Sequence, residues 1–478
     1  MYRPVYLPLT SAIRFRWAVC QLDTLRKCYK LSALRSALES LPKTLNETYN
    51  RILRAIDADN VPDALQLLQW LTFSRRPLRL KELAEVVAIN IEDVPSFDEE
   101  DRLRHPTDLL RICSSLVNLH YEEENIDEPP DILDCEIRLA HYSVREYLVS
   151  KIEEPAFAGF AEMSAHLSMA KSCVAYLLHL GHERETSSTN FRHHRETGVQ
   201  DMFPLSTYAA QYWPEHVRNM DDVLQDQIVE LLINSCSMNQ WIEIFNPDHG
   251  EKLPIPARAN VEWPDPASLQ RPLYYASLLG LTEIAEILLR RGAKVQRGFG
   301  LYGTALGAAA TRGHTVILRL LLDYGAKPDV SAGYYRSPLF AAVSEGHAEC
   351  VRLLIEAGNI MSDVPRSLDH GSATNDIPLL QDNSLFQDNS SYHQEAPLLI
   401  AAEEGHLDVV KVLLDHGAST TVTGYYGNAV QAAMSGGHNE VVEFLLARGM
   451  RFGVPAAATP QIRLPREHRS TFGSRGLT

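Results

Sequence analysis

Apolar residues recur along this chain in two ways, and the longer period is the more informative. In the C-terminal half Gly280, Gly313, Gly346, Gly405 and Gly437 are separated by 33, 33, 59 and 32 residues. Eight residues before each glycine stands Pro272, Ala305, Pro338, Pro397 or Ala429, and four before it Ala276, Ala309, Ala342, Ala401 or Ala433. Beyond each lies an aliphatic pair: Leu288-Leu289, Leu321-Leu322, Leu354-Ile355, Leu413-Leu414 and Leu445-Leu446. Twelve residues past each comes a second glycine: Gly292, Gly325, Gly358, Gly417 and Gly449. These offsets predict five helix–turn–helix units. Proline is tolerated in a first helical turn, where its missing N–H has no partner to lose. The alanines let two short antiparallel helices approach; one glycine turns the chain and the other ends the outer helix. No unit has a core of its own, so the leucine pairs must bury against neighbouring units, which predicts a solenoid.

The N-terminal half shows the shorter, helical period. It runs through residues 14–58 (FRWAVCQLDTLRKC, LPKTLNETYNRILRAI), then 62–91, where DALQLLQWLTF and LRLKELAEVVAI flank the turn-prone SRRP. LLRICSSLVNL at 109–119 predicts a further helix, and IRLAHYSVREYLVS at 137–150 a strand passing into a helix. Three helices followed by a short strand pair describe a winged-helix arrangement. Amphipathic segments between about 155 and 245 predict an α-helical bridge onto which the solenoid docks. The expected fold is mostly α. Its parts are residues 1–58, helical; 59–152, winged-helix-like; 153–260, the bridge; 268–452, the repeats; and 453–478, a Pro-, Ala- and Arg-rich disordered tail. The 59-residue interval holds one period plus about 26 residues, placing a polar insert near 359–395 in which QDNS occurs twice. It is expected to be a flexible loop.

SPLFAAVSEGHAECVRLLIEAG at 337–358 and APLLIAAEEGHLDVVKVLLDHGA at 396–418 resemble the ankyrin repeat. FRWAVCQLDTLRKC, LPKTLNETYNRIL, LRLKELAEVVAI, LAHYSVREYL and YAAQYWPEH look like the region behind the nucleotide-binding core of fungal NACHT–ankyrin proteins, NLR-like signalling NTPases of the STAND class. GLYGTALGAA (300–309) and GYYGNAVQAA (424–433) are similar to that family's repeats. The resemblance covers residues 14–450. It implies that 1–58 are a helical remnant of the NACHT C-terminal region. It also implies a winged helix of the type named after GPI inositol-deacylase, without deacylase chemistry. The chain departs from the family in one respect: no GxxxxGK[ST] occurs, and its Lys-Thr and Lys-Ser pairs, Lys43-Thr44 and Lys171-Ser172, follow Pro42 and Ala170. Without a glycine-lined cradle and its lysine nothing holds a triphosphate. The expectation is a truncated paralogue or a gene model lacking 5′ exons, with no ATPase activity and no cofactor.

Charge narrows the picture further. Across 478 residues, 45 Lys+Arg against 61 Asp+Glu leave a net charge of −16 and a pI near 5.6. That balance argues against a general nucleic-acid or anionic-membrane binder. No apolar run approaches the roughly 20 residues of a membrane helix, the N-terminus lacks a signal-peptide pattern, and the seven cysteines form no CxxC. These features predict a cytoplasmic protein with reduced thiols.

Candidate chemistry is sparse. GFGLYG at 298–303 satisfies GxGxxG but lacks the strand of a βαβ unit and falls between two repeats, so it reads as a finger turn. His314, His347, His406 and His438 each follow the inter-helix glycine one repeat apart; they cannot converge on one metal and are expected to hydrogen-bond along the seam. By resemblance His141 would be a sensor of bound nucleotide; without a nucleotide site it reads as structural. The basic SRRPLRLK (74–81) raises winged-helix DNA binding, but the following helix offers Lys81, Glu82 and Glu85 among apolar residues, so the run reads as a solvated turn. No GxSxG, HExxH or metal-spaced Cys/His cluster occurs. No catalytic, cofactor or metal residue is assigned, and no enzyme activity, small-molecule substrate, nucleic acid or membrane partner is expected.

What remains is a protein-binding surface. In the ankyrin fold the concave face is built from finger tips and the two residues before each inter-helix glycine. The candidates are Leu278, Leu279, Arg312, Glu345, Glu403 and Glu404, with Tyr302, Tyr334, Tyr335, Tyr425 and Tyr426 on the fingers. Tyrosine gives large contact area at low entropic cost; stacking between neighbouring fingers is the alternative role. The expected function is protein–protein recognition, as the ligand-sensing half of an NLR-like protein. The rivals are a fragment of a nucleotide-switched NTPase and a winged-helix DNA-binding regulator.

Overall fold

The computed structural model describes residues 17–18, 21–22, 25–26, 29–91, 96–121, 131–150, 157, 160–186, 199–248, 270–296, 300–330, 333–335, 337–358 and 396–451. The chain divides at Pro272/Leu273 into two compact units. The fold is mostly helical.

The first unit begins with α1 (Leu31–Glu39) and α2 (Leu45–Arg54). A capping box starts α2: Thr44 Oγ1 accepts the Glu47 N–H at 3.1 Å, and the Glu47 carboxylate accepts the Thr44 N–H in return. α3 (Val61–Phe73) opens on Pro62 and buries Leu67, Leu68 and Trp70. Then come β1 (Leu78–Arg79), α4 (Leu80–Val87), α5 (Leu109–Ile112), β2 (Val117–His120), β3 (Glu136–Leu139) and α6 (Tyr142–Val149). The strands form an antiparallel sheet ordered β1–β3–β2, with Leu78 and Leu119 both opposite Ile137. Helices followed by this small sheet make the winged-helix-type domain. The helix expected over 109–119 needs correction. Only Leu109–Ile112 is α-helical; a 3₁₀ turn follows at Ser114–Leu116, and Val117–His120 is strand. The periodicity missed this because the partner strand lies beyond residue 130, and cross-strand pairing overrides local preference.

α7 (Glu162–Thr186) is the mast of the remaining first unit; α3, α9 (Ser206–His216), α10 (Asp222–Ile233) and α11 (Ser235–Ile244) pack around it, after a short α8 (Val199–Met202). Gly181 permits the closest approach: a Cβ there would lie 2.0 Å from Ser237 Oγ and 2.4 Å from its Cα. Trp213 and Trp241 meet edge-on at 5.7 Å, and Trp241 Nε1–H donates to the Ala210 carbonyl at 2.9 Å. The expected bridge is therefore continuous with the winged-helix core.

Among the described residues the second unit shows five helix pairs: α12 (Gln270–Leu279) with α13 (Thr282–Arg290), α14 (Ala305–Arg312) with α15 (Thr315–Asp323), α16 (Pro338–Ser344) with α17 (Ala348–Gly358), α18 (Pro397–Glu403) with α19 (Leu407–Asp415), and α20 (Ala429–Gly436) with α21 (Asn439–Ala447). This is the ankyrin stack. Thr304, Ser337 and Asn428 cap their helices by accepting the N–H three residues on. The inter-helix glycines sit at φ between +73° and +82°, the left-handed region that penalises a Cβ. The expected loop at 359–395 and tail at 453–478 lie outside the described residues.

Candidate functional site

The seam between repeats is built from histidine and glycine. His314 Nε2–H donates to the Leu278 carbonyl at 3.2 Å, His347 to Thr311 at 3.0 Å, and His406 to Ser344 at 2.9 Å. Each ring lies under the inter-helix glycine of the preceding repeat; a Cβ on Gly313 would fall 2.6 Å from His347 Nδ1. His438 occupies the same place beneath Gly405. Burial pushes His314 below the ordinary imidazole value, so it stays a neutral donor. These histidines bind repeat to repeat, as their spacing predicted. Among the described residues no group of three or more His, Cys, Asp or Glu is placed to hold a metal.

The partner-binding candidates divide into three groups. Leu278 is a correction: at 3% exposed it is withdrawn from solvent and presents nothing to a partner. An aliphatic side chain gains more from burial than its place before the glycine offers in contact. The tyrosines of the fingers entering the second and third repeats lock those fingers together. Tyr302 and Tyr335 stack at 6.2 Å with planes 10° apart, and Tyr334 lies edge-on to Tyr335 at 4.9 Å. Tyr335 donates its phenol to Glu345, and burial beside that carboxylate raises the phenol pKa. The Tyr302 N–H donates to Tyr274 Oη at 3.1 Å, within the GFGLYG turn where Gly300 and Gly303 take positive φ. Leu279, Arg312, Glu403, Glu404, Tyr425 and Tyr426 form the third group. Arg312 is exposed, and Leu279, Glu403, Glu404 and Tyr426 are half-buried. Tyr425 is 63% exposed, set edge-on to Tyr426 on a finger closed by the Gly424–Gly427 bridge.

In the first unit His141 and the basic run make contacts within the fold. His141 caps α6: its Nδ1 accepts the Ser143 N–H at 3.2 Å and lies 2.7 Å from Ser143 Oγ, itself 2.8 Å from Tyr49 Oη. Ser143 and Tyr49 are buried, so the array is a packing contact. The basic run is neutralised from within. Arg75 pairs with Glu215 at 2.9 Å, Arg76 with buried Glu82 at 2.6 Å, and Arg79 and Lys81 with Asp134 at 3.2 and 2.7 Å. Lys81 holds the Asp134 carboxyl below the usual carboxylate range. The element before β2, where a winged helix carries its reading helix, is the single turn of α5, and its Arg111 sits 3.6 Å from Asp108. One turn spans about 6 Å, half the width of a major groove of about 12 Å.

Two buried polar clusters were not anticipated. Glu85 accepts from Arg102 at 2.8 Å and from Tyr176 of α7 at 2.7 Å. Arg102 lies between the rings of Phe97 and Phe203 at 5.4 and 5.2 Å and also donates to the Met202 carbonyl. The second cluster pairs His166 Nδ1 with His216 Nδ1 at 2.8 Å, with His216 Nε2 3.0 Å from Tyr208 Oη. Burial, with Arg75 and Arg218 nearby, pushes both imidazoles well below their ordinary value. The available signal for the first was Glu85 among the apolar residues of α4.

Comparison with known proteins fits this architecture. Residues 273–364 and 373–455 match the family model described as ankyrin repeats (3 copies). Residues 50–159 match the model described as GPI inositol-deacylase, winged helix domain. The chain is 34% identical over 298 residues to azaphilone pigments biosynthesis cluster protein L of Monascus ruber. That alignment covers 58% of this chain and 58% of the relative, so the chain spans less than two thirds of the relative it matches. Among the described residues no helix is long and apolar enough to cross a membrane.

Proposed function

We propose that the concave side of the ankyrin stack binds a protein partner, and that the winged-helix unit is the regulatory half of an NLR-like signalling protein. Ankyrin repeats support protein–protein interaction as the general role. The observation that favours this face is the split among the candidates: the scaffold positions are buried, while Arg312 and Tyr425 reach solvent. On this reading the chain binds rather than catalyses, and needs no cofactor. The NLR-like role rests on the helical segments of residues 14–150 and on the winged-helix match. The test is a photo-crosslinking residue placed at 404, at 425, or at exposed Val316 on the outer helix α15. Adducts to one discrete protein from 404 and 425, but not from 316, support the assignment; adducts from 316 alone would refute it. Biosynthetic enzymes among the adducts would tie the chain to the kind of cluster for which the Monascus relative is named.

The winged-helix match also favours a second reading, in which the chain works as part of a nucleotide-switched NTPase. An upstream, in-frame exon encoding a GxxxxGK[ST] loop, found by sequencing the 5′ end of the transcript, would favour this reading over a stand-alone adaptor.

A further inference from the structure

The outer helices of the stack present equivalent positions to solvent, and α15 departs from its neighbours at two of them. Three residues past the inter-helix glycines stand Glu283, Val316, Glu349, Asp408 and Glu440. An acidic side chain there meets the positive end of its helix. Val316 forgoes that and is 65% exposed. Eleven residues past the glycines stand Arg291, Tyr324, Ala357, His416 and Arg448, and Tyr324 is 45% exposed. Half-buried Leu320 lies midway between Val316 and Tyr324. Four residues apart, the three side chains form an apolar stripe along α15 and its C-cap.

The charges beside the stripe depart from the pattern too. On α13 Glu286 pairs with Arg290, and on α17 Arg352 pairs with Glu349 and Glu356. On α19 Lys411 pairs with Asp408, and Asp415 with Arg448 of the next repeat. Among the described residues neither Arg319 nor Asp323 enters an ion pair. Arg319 acts on Glu349 through space, but that carboxylate is already bonded to Arg352. A helix turns about 100° per residue, which sets Arg319 and Asp323 along one edge of the stripe. Buried Ile317 and Leu321 bound its other edge.

We propose that α15 is the contact between two copies of the chain, packed antiparallel about a two-fold axis at Leu320. In that arrangement Val316 of each copy meets the other's Tyr324, and the two Leu320 side chains meet at the axis. The charged edges run side by side in opposite directions, so each Arg319 faces the other copy's Asp323. A two-fold interface needs a surface complementary to itself. An apolar stripe with one charge of each sign along the same edge meets that condition, whereas an edge of a single sign would repel its own copy. The stripe is small beside the roughly 800 Å² per partner of a stable interface, so the dimer is weak and dissociates on dilution.

Sedimentation of the full chain over a roughly hundredfold range of concentration tests the assignment. Wild type is expected to move from 53.6 kDa toward twice that mass. Val316→Glu/Tyr324→Arg installs residues that other repeats carry at these positions, so it keeps the fold, and it should weaken association by about tenfold or more. Arg319→Asp should weaken it as well, and adding Asp323→Arg should restore it, because the exchanged charges again face opposite signs. A monomer at every concentration would overturn the proposal. So would a mass increase that survives Val316→Glu/Tyr324→Arg, or one that Arg319→Asp abolishes and the charge exchange fails to restore. The concave-side reading stands or falls separately, since its partner is a different protein.

Discussion

The two units solve the packing problem by opposite means. The ankyrin stack repeats one arrangement: a capped inner helix, a left-handed glycine, a histidine to the preceding carbonyl and an aliphatic pair. The first unit is held by contacts made once. Glu85 binds Arg102 and Tyr176; His166 hydrogen-bonds His216; Gly181 lets α7 touch α11. A partner-binding surface is easier to vary on the first kind of scaffold, because changing an exposed position leaves the buried ones untouched. The second kind ties its parts together: moving the winged helix off α7 breaks the bond of Glu85 to Tyr176 and that of Arg102 to the Met202 carbonyl.

Single substitutions sharpen this contrast. All five tryptophans lie in the first unit, so their fluorescence follows its unfolding while circular dichroism follows both units. The largest effect is expected for Glu85→Ala, which strands Arg102 and the Tyr176 hydroxyl and should cost the first unit about 3 kcal/mol in urea titrations. Replacing both partners, Glu85→Leu with Arg102→Met, should restore most of that loss. Gly181→Ala comes next, at about 2 kcal/mol from forcing α7 and α11 apart. Ser237→Gly should relieve it only in part, because the Ser237 Cα is itself too close.

Acid should also separate the units. His166 and His216 titrate below 6.5 in the fold and near 6.5 in the unfolded chain, so the unfolded chain takes up protons first. Their contribution is complete above pH 6.5 and is lost as the pH falls below it. His179 adds to the same slope, against His314 in the stack. The fluorescence midpoint should therefore fall more steeply between pH 7 and 5 than the dichroism midpoint, which averages both units; a parallel decline would contradict this.

Smaller changes read the repeat logic. His347→Ala and His406→Ala should each cost about 1–2 kcal/mol, because each leaves an equivalent carbonyl unpaired. Unequal costs would break the idea of a periodic seam. Tyr335→Phe should cost about 1 kcal/mol through the lost bond to Glu345. Tyr425→Ala should stay within about 0.5 kcal/mol, which frees that position for recognition.

The same contrast governs how much could be read from the sequence. The stack was legible as a repeat, since every unit spells out the same offsets and the histidines fall where those offsets place them. The winged helix was legible as a helix–strand order but not in its joints. Val117–His120 looks helical until its pairing with β3 is known, and Arg75 or Lys81 looks solvated until Glu215 and Asp134 arrive from far along the chain. Burial at Leu278 and stacking between Tyr302 and Tyr335 depend on neighbouring residues in space, which spacing alone does not weigh.

The most direct test of the central claim is affinity capture with the full chain and two folded variants, scored by quantitative mass spectrometry. One variant carries Arg312→Glu, Glu404→Lys and Tyr425→Ala on the concave side; the other carries Val316→Glu and Arg319→Glu on the outer helix α15. The account predicts one discrete set of proteins held by wild type and by the outer-helix variant, and lost at least tenfold from the concave variant. The same set surviving on the concave variant and vanishing from the other would contradict it.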